Sequence, residues 1–232
     1  MSRIAFTLCV VAFTVVSGCK NVRIATGSDD KFIHLPQELT ATPIPPAQPL
    51  LPTSPGSRWT YRLTNDENGI EEVTVLPSRQ IEGQTALVLG CKRKGTLDRE
   101  ELFYITDKEI AQFSAGAGEK VILKPPMPIL RFPLKFDETV SWQGGVSLRG
   151  ALVPSQSKSR LRCIEKIKVP RGTFTSYRVD TILETRLAEG LARFWVTRWL
   201  APGIGVVRTR YIVKSPGQAE RVFTKELLKY KI

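Results

Sequence analysis

The sequence predicts an all-β protein, with at most short helices, whose sheet is a curved antiparallel meander or half-barrel of about ten strands. Three observations lead to this prediction. Short runs that alternate apolar and polar residues recur from Arg58 onward; Trp59, Tyr61 and Leu63, for example, share one face of an extended strand. Turn sequences rich in Gly, Asn and Asp separate these runs. Helical periodicity is scarce, and no repeat of about 20–50 residues is present.

Residues 1–18 form a predicted signal peptide. Arg3 provides a basic start, and the run from Ile4 to Val16 contains only two polar residues before a pair of small ones. This order is typical of a secretory signal, and the run is shorter than the ~20 apolar residues that span a bilayer. An ordinary signal peptide, followed by Cys19 by chance, has the same features.

The tetrapeptide Val16-Ser17-Gly18-Cys19 resembles the bacterial lipobox, which consists of an aliphatic residue, a small residue, Gly and Cys. The resemblance implies that Cys19 becomes the N-terminus after cleavage and carries acyl chains on its sulfur and its amine. Two or three chains hold a protein on a membrane, whereas one gives only marginal binding. The residue after Cys19 is Lys20 and not Asp. In this the sequence resembles lipoproteins that two-membrane bacteria sort to the outer membrane, and the resemblance implies that location. We therefore expect a lipid-anchored envelope protein that faces the periplasm.

Residues 19–57 are predicted to be a lipidated, proline-rich tether, and residues 58–232 a single antiparallel β domain. Seven of the 16 prolines lie between residues 36 and 55. Proline disfavours helices and central strands and favours extended chain, so this segment is expected to hold the domain away from the bilayer. His34, the only histidine of the protein, lies in the tether.

In the first half of the domain, turn sequences indicate where the predicted strands begin and end. Asn68-Gly69 tolerates the positive φ of a hairpin turn, and the segment 85–91 is apolar on both faces, as in a central strand. Residues 124–136 contain four prolines among large apolar side chains, which predicts an ordered connection that covers the core. The predicted strands of this half are residues 58–63, 70–76, 85–91, 102–106 and 109–113.

In the second half, each turn contains a glycine. Arg171-Gly172, Glu189-Gly190, Pro202-Gly203 and Pro216-Gly217 separate runs in which apolar residues alternate with Lys and Arg. The predicted strands of this half are residues 145–153, 160–169, 173–187, 191–200, 205–213 and 220–230. Successive runs are expected to pair through their short turns.

Three short motifs resemble a family of uncharacterised bacterial envelope lipoproteins. Residues 55–61 are similar to its Gly-x-x-Trp-x-Tyr first strand, residues 169–174 to its Val-Pro-x-Gly-x-Phe turn, and residues 199–207 to its Ala-Pro-Gly-(Val/Ile)-Gly turn. The resemblance implies the curved half-barrel of periplasmic lipoprotein carriers and outer-membrane lipoprotein receptors. It brings no catalytic residue to this sequence.

The net charge of +12 lies almost entirely in the second half of the domain. Residues 58–139 contain 12 Lys+Arg and 13 Asp+Glu, whereas residues 140–232 contain 18 Lys+Arg and 6 Asp+Glu. A basic half attracts anionic surfaces over about a Debye length. Export makes nucleic acid an unsuitable partner and favours anionic lipid, lipopolysaccharide or another envelope protein. The same residues would also keep the faces and edges of the sheet soluble. The candidate contacts are Arg160, Arg162, Lys166, Lys168, Arg178, Arg208 and Arg210.

After removal of Cys9 and acylation of Cys19, two cysteines remain, Cys91 and Cys163. An oxidising compartment permits a disulfide between them, which would close a long loop and stabilise by ~4 kcal/mol. Two buried thiols fit the apolar surroundings equally well.

The sequence contains no catalytic motif and no cofactor or metal motif. A single histidine leaves no base for a Ser-His or Cys-His pair, and Asp137-Glu138 has the character of a solvated turn. We therefore expect a non-catalytic binding or assembly module rather than an enzyme. The alternative is a carrier or receptor that holds a lipid or acyl chain on the concave face of the half-barrel.

Overall fold

The computed structural model describes residues 48–64, 69–115, 121–148 and 150–232. Within them the secondary structure is all β, as predicted, and consists of antiparallel strands joined in chain order. The strands are β1 Arg58–Leu63, β2 Ile70–Ile81, β3 Gln84–Arg93, β4 Thr96–Ile105, β5 Glu109–Ala115, β6 Val121–Arg131, β7 Thr139–Leu148, β8 Ala151–Val169, β9 Gly172–Leu187, β10 Gly190–Ala201, β11 Gly205–Lys214 and β12 Arg221–Lys231.

The sheet closes on itself, whereas the sequence predicted a half-barrel. The first and last strands pair antiparallel, with Arg58 opposite Lys231 and Leu63 opposite Lys225. This pairing completes a closed barrel of twelve strands rather than about ten. Closure pairs the backbone groups that two open edges would leave exposed, which is its physical advantage over a half-barrel.

The proline-rich segment 124–136 differs from its prediction because most of it is strand β6. This strand pairs with β5 along its length but with β7 only from Ile122 to Lys124. Pro125, the next residue, has no N–H to donate to a neighbouring strand, so the β7 side of the ladder ends there. Ile129, Leu130 and Leu134 of the segment are buried as predicted, and Phe132 and Phe136 are half-buried against the main core.

Alternate residues of the strands fill the interior of the barrel. The main core includes Leu87, Phe103, Val179 and Leu227, which come from strands on all sides of the ring. Val88, next to Leu87, belongs to a second cluster on the opposite face of the sheet. The described residues include no helix with the length and hydropathy to cross a bilayer.

One end of the barrel is covered by the last part of the predicted tether. Leu50 is only 3% exposed and belongs to the main core, and the Gly203 N–H donates to the Pro49 carbonyl at 2.9 Å. The tip of the β8–β9 hairpin lies against the same core, and the Arg171 N–H donates to the Leu227 carbonyl at 3.0 Å. Cys19, His34 and the rest of residues 1–47 lie outside the described residues.

Candidate functional site

Two of the three motifs meet in space. The Trp59 Nε1–H donates to the Ile204 carbonyl at 2.6 Å, and the Tyr61 hydroxyl donates to the Val206 carbonyl at 2.8 Å. The first strand is thereby joined to the β10–β11 turn, 145 positions later in the chain. Both aromatic rings are buried in the main core, so these motifs hold the barrel end together rather than form an open ligand site.

Four charged side chains form a cluster in the interior, which we call the interior ion cluster: Glu71, Arg99, Glu101 and Lys225. Glu71 is fully buried; it accepts a hydrogen bond from Arg99 Nη1 at 2.7 Å on one oxygen and from Lys225 Nζ on the other. Arg99 Nε also donates to Glu101 Oε1 at 3.0 Å. A buried charge is tolerated only when it is paired and hydrogen-bonded, and every member of this cluster is.

The cluster holds its carboxylates ionised. Burial raises the pKa of Glu71, but the nearby Lys225 and Arg99 lower it more, so it lies well below its usual range. For Glu101, burial is again outweighed by Arg99 and Lys225, and its pKa is lowered. Neither carboxyl can serve as a general acid near neutral pH, because neither holds a proton there.

A small cavity lies beside the cluster. Its volume is about 60 Å³, and its polar lining comes from Glu101, Arg198, Thr209, Tyr211 and Lys225. The remaining lining is mainly apolar core. One water needs about 10–15 Å³ of such volume, so the cavity has room for about four waters or for one ligand of a few heavy atoms, but not for the chain of a lipid.

The outer surface of β8–β11 contains most of the predicted basic contacts. Arg160 and Arg210 are exposed and lie in one row across the strands. Arg160 is opposite Asp180, Asp180 is opposite Thr197, and Thr197 is opposite Arg210. The neighbouring row contains Lys158, Ile182, Trp195 and Ile212. We call this surface of β8–β11 the outer wall.

Three of the predicted contacts are partly neutralised. Arg162 bonds Asp137 at 2.5 Å, Arg178 bonds both oxygens of Asp180 at 3.2 Å, and Arg208 lies 3.5 Å from Glu226. The guanidiniums of Arg178 and Arg208 also lie over the Trp199 ring, 6.0 and 5.3 Å from its centroid.

Lys166 and Lys168 are exposed but pair with Thr175 and Thr173 near the tip of the β8–β9 hairpin. They are separated from Arg160 by the register shift near Cys163. The structure therefore places Arg160 and Arg210 in one row, with β9 and β10 between them, and places these two lysines elsewhere.

Of the two alternatives that the sequence leaves open for Cys91 and Cys163, the structure has two free thiols and not a disulfide. Cys91 lies on β3 and Cys163 on β8, with four strands between them on the shorter way round the ring. Bridged cysteines have Cα atoms about 4.4–6.8 Å apart, roughly one strand spacing, so this arrangement does not suit a bond. Burial raises the pKa of Cys91 to about 12 and that of Cys163 to about 11.

The interior ion cluster was not predicted, although part of its signal was present. Glu71, Val73 and Val75 are alternate residues of β2, so their side chains lie on the same face of the strand. Because the two valines were predicted to face inward, the burial of Glu71 could have been inferred. Its partners Arg99 and Lys225 depend on the closed ring, which no local pattern indicates. Among the residues that the structure describes, no group of three or more side chains could hold a metal ion.

Comparison with known proteins shows the fold. The structure is similar to that of a candidate lipoprotein from Parabacteroides distasonis, with a TM-score of 0.54 and 15% identity over 79% of this chain and 99% of that chain. A candidate exported protein with a YmcC-like fold from Bacteroides fragilis gives a TM-score of 0.48 and 13% identity over 78% and 98% of the two chains. The hypothetical lipoprotein YmcC from Escherichia coli gives 0.37 and 10% over 76% and 85%.

No protein-family model matches the sequence, and no curated protein matches it either. At 15% identity, the likeness to the Parabacteroides protein shows a shared barrel fold.

Proposed function

We propose that this protein is a lipid-anchored, non-catalytic binding or assembly module of the bacterial cell envelope. In this proposal, acyl chains on Cys19 hold it on the outer membrane, facing the periplasm, and the outer wall binds an anionic partner. The lipobox-like residues before Cys19 support the anchor. The Parabacteroides protein of similar fold is a candidate lipoprotein, which agrees with an anchor of this kind.

The observation that carries the binding proposal is the arrangement of the outer wall. Half-buried Trp195 lies at its centre, opposite Ile182 on one strand and Ile212 on the other. Lys158 continues this apolar row onto β8, and Arg210 flanks it in the next row. Tryptophan and aliphatic side chains framed by cations suit the interface of an anionic membrane, where headgroup phosphates overlie an apolar layer.

The expected strength follows from the number of cations available. Lys158, Arg160, Arg186, Arg210 and Lys214 are exposed, and none of them forms an ion pair with a carboxylate in the described part of the chain. Each cation near an anionic bilayer contributes about 1 kcal/mol, so the five together contribute about 5 kcal/mol at low salt. This attraction is too weak to anchor the protein alone but sufficient to orient an already tethered domain.

The filled interior weighs against the alternative of a lipid carrier. A carrier needs a concavity for an acyl chain, and this barrel is closed and packed with side chains around a cavity of about 60 Å³. The non-catalytic part of the proposal draws support from the interior carboxylates Glu71 and Glu101, which are held ionised by cations.

Vesicle binding tests the outer wall. The mature chain with Cys19→Ala, which lacks acyl chains, is sedimented with phosphatidylcholine vesicles with and without phosphatidylglycerol. We expect binding only to the anionic vesicles, reduced roughly thirtyfold in Arg160→Gln/Arg210→Gln, because two contributions of about 1 kcal/mol are lost. The control Lys92→Gln/Lys108→Gln removes the same charge from exposed positions on β3 and in the β4–β5 turn and should bind as the parent does. Equal losses in both variants would mean that only net charge matters and would reject the wall.

Metabolic labelling with a fatty acid tests the anchor separately. The wild-type protein should incorporate the label and Cys19→Ala should not. Equal labelling of the two proteins would remove the lipid anchor from the proposal and leave the wall experiment unaffected.

A further inference from the structure

Arg198 on β10 is half-buried on the inner face of the barrel, and among the described residues no carboxylate forms an ion pair with it. Its neighbours in register are Val179 and Thr209, both almost fully buried, and it lines the cavity. Its Nη2 donates to the neutral Gln112 Oε1 at 3.2 Å. Its Nη1 is buried and has no hydrogen-bond partner in the part of the chain that the structure describes.

The charges around the cavity do not balance. Within the interior ion cluster, the two carboxylates of Glu71 and Glu101 are matched by Arg99 and Lys225. Arg198 adds one positive charge that this cluster does not compensate. Taking a cation out of water costs several kcal/mol, and an anion that accepts hydrogen bonds from it offsets this cost.

Most of the polar lining of the cavity can donate hydrogen bonds. Besides Arg198, it comes from the hydroxyls of Thr209 and Tyr211 and from Lys225, and its one carboxylate, Glu101, already accepts a hydrogen bond from Arg99. Burial raises the pKa of Tyr211, which keeps its hydroxyl protonated and able to donate. The rest of the lining is apolar and includes Leu89 and Phe103. Donors at one end and hydrocarbon at the other fit a ligand that has a small anionic head and a short apolar body.

We propose that this cavity binds a short-chain monocarboxylate, of the size of acetate or propionate, with its carboxylate on Arg198. A carboxylate offers two oxygens to the planar fork of a guanidinium, which a spherical halide cannot do. The volume of about 60 Å³ restricts the ligand to a few heavy atoms. The site is independent of the outer wall, because it lies inside the barrel.

Ligand-observed NMR on the mature Cys19→Ala chain tests the site. Saturation transferred from the protein to the methyl group of sodium propionate should be seen, and sodium chloride at equal ionic strength should not displace the propionate. Arg198→Met should weaken the binding about tenfold or more, since a charge-assisted hydrogen bond is lost. Arg193 lies on β10, as Arg198 does, but its guanidinium bonds Glu184 on β9. The control Arg193→Met should therefore bind propionate as the parent does.

Thermal unfolding gives a second measurement that does not depend on how well a variant folds. Propionate should raise the unfolding temperature of the parent chain in a saturable manner, and equimolar chloride should not. Equal effects of the two salts, absent saturation transfer, or full propionate binding by a folded Arg198→Met would each overturn the proposal.

Discussion

Removing the carboxylate of Glu71 should destabilise the protein more than removing the ammonium of Lys225. Glu71 is the hydrogen-bond partner of Lys225, which is 8% exposed, so Glu71→Leu leaves a buried ammonium without its carboxylate. Breaking a buried pair from this side costs about 3–5 kcal/mol. Lys225→Met leaves Glu71 with Arg99 at 2.7 Å, so it removes one charged hydrogen bond, at about 1.5–3 kcal/mol.

The double variant Glu71→Leu/Lys225→Met completes the cycle. It should cost less than the sum of the single variants by about 1–3 kcal/mol, because neither charge is then left alone. Arg99 keeps its bond to Glu101 at 3.0 Å in all three proteins. Urea unfolding followed by tryptophan fluorescence measures each free energy, with unchanged slopes as the check for two-state behaviour. Equal costs of the two single variants, or strict additivity, would refute the assigned pairing.

Three further predictions concern the turn, the thiols and acid stability. Gly205→Ala should lower the free energy of unfolding by about 1–3 kcal/mol, because the φ of Gly205 is +96° and an added Cβ would lie 3.2 Å from Pro52. Gly217→Ala should cost less, because an added Cβ there has no atom within 4 Å. A thiol reagent should leave Cys91 unmodified and modify Cys163 slowly in the native protein, and should count both after denaturation; a missing thiol would restore the disulfide. Burial raises the pKa of Glu71 but its cations lower it further, so its contribution to stability is present above the unfolded pKa of about 4.3 and is lost as the pH falls below it. Urea unfolding at a series of pH values should show this acid loss in the parent and a smaller one in the double variant; parallel curves would contradict it.

Sequence patterns predicted local structure better than they predicted closure. The alternation at Trp59, Tyr61 and Leu63 is the same in an open and a closed sheet, so it predicted strand β1 but not its pairing with β12. The contact between Arg58 and Lys231 depends on the summed twist and stagger of twelve strands. Strand β6 was not predicted because its prolines argue against a central strand. They are tolerated in the structure because β6 pairs with β7 only as far as Lys124, and a residue without an N–H loses no hydrogen bond beyond that point.

The candidate site was predicted in part for a related reason. Composition located the basic half of the domain, and alternation assigned Arg160 and Arg210 to one side of their strands. Composition could not tell which cations are matched by acids: Glu226 reaches Arg208 only through the pairing of β11 with β12, whereas Asp180 lies two residues after Arg178 on β9. Composition also could not show that Arg198 lies on the inner face of the barrel. The large apolar residues Trp195 and Trp199 lie on the other face of β10, so a reader of the sequence would expect that face to be the inner one.

Closure of the barrel also changes how the charge of +12 should be understood. Part of it faces inward at Arg198 and Lys225, where no macromolecule can reach it, and part is neutralised by carboxylates on the outer surface. The charge that a partner meets on the outer wall is therefore nearer to the five exposed cations than to the formal total. Binding to anionic vesicles should accordingly weaken steeply with salt, because exposed charges are screened beyond a Debye length of about 10 Å at 0.1 M salt. Propionate binding should weaken less under the same conditions, since Arg198 is half-buried and buried charges are screened less than exposed ones.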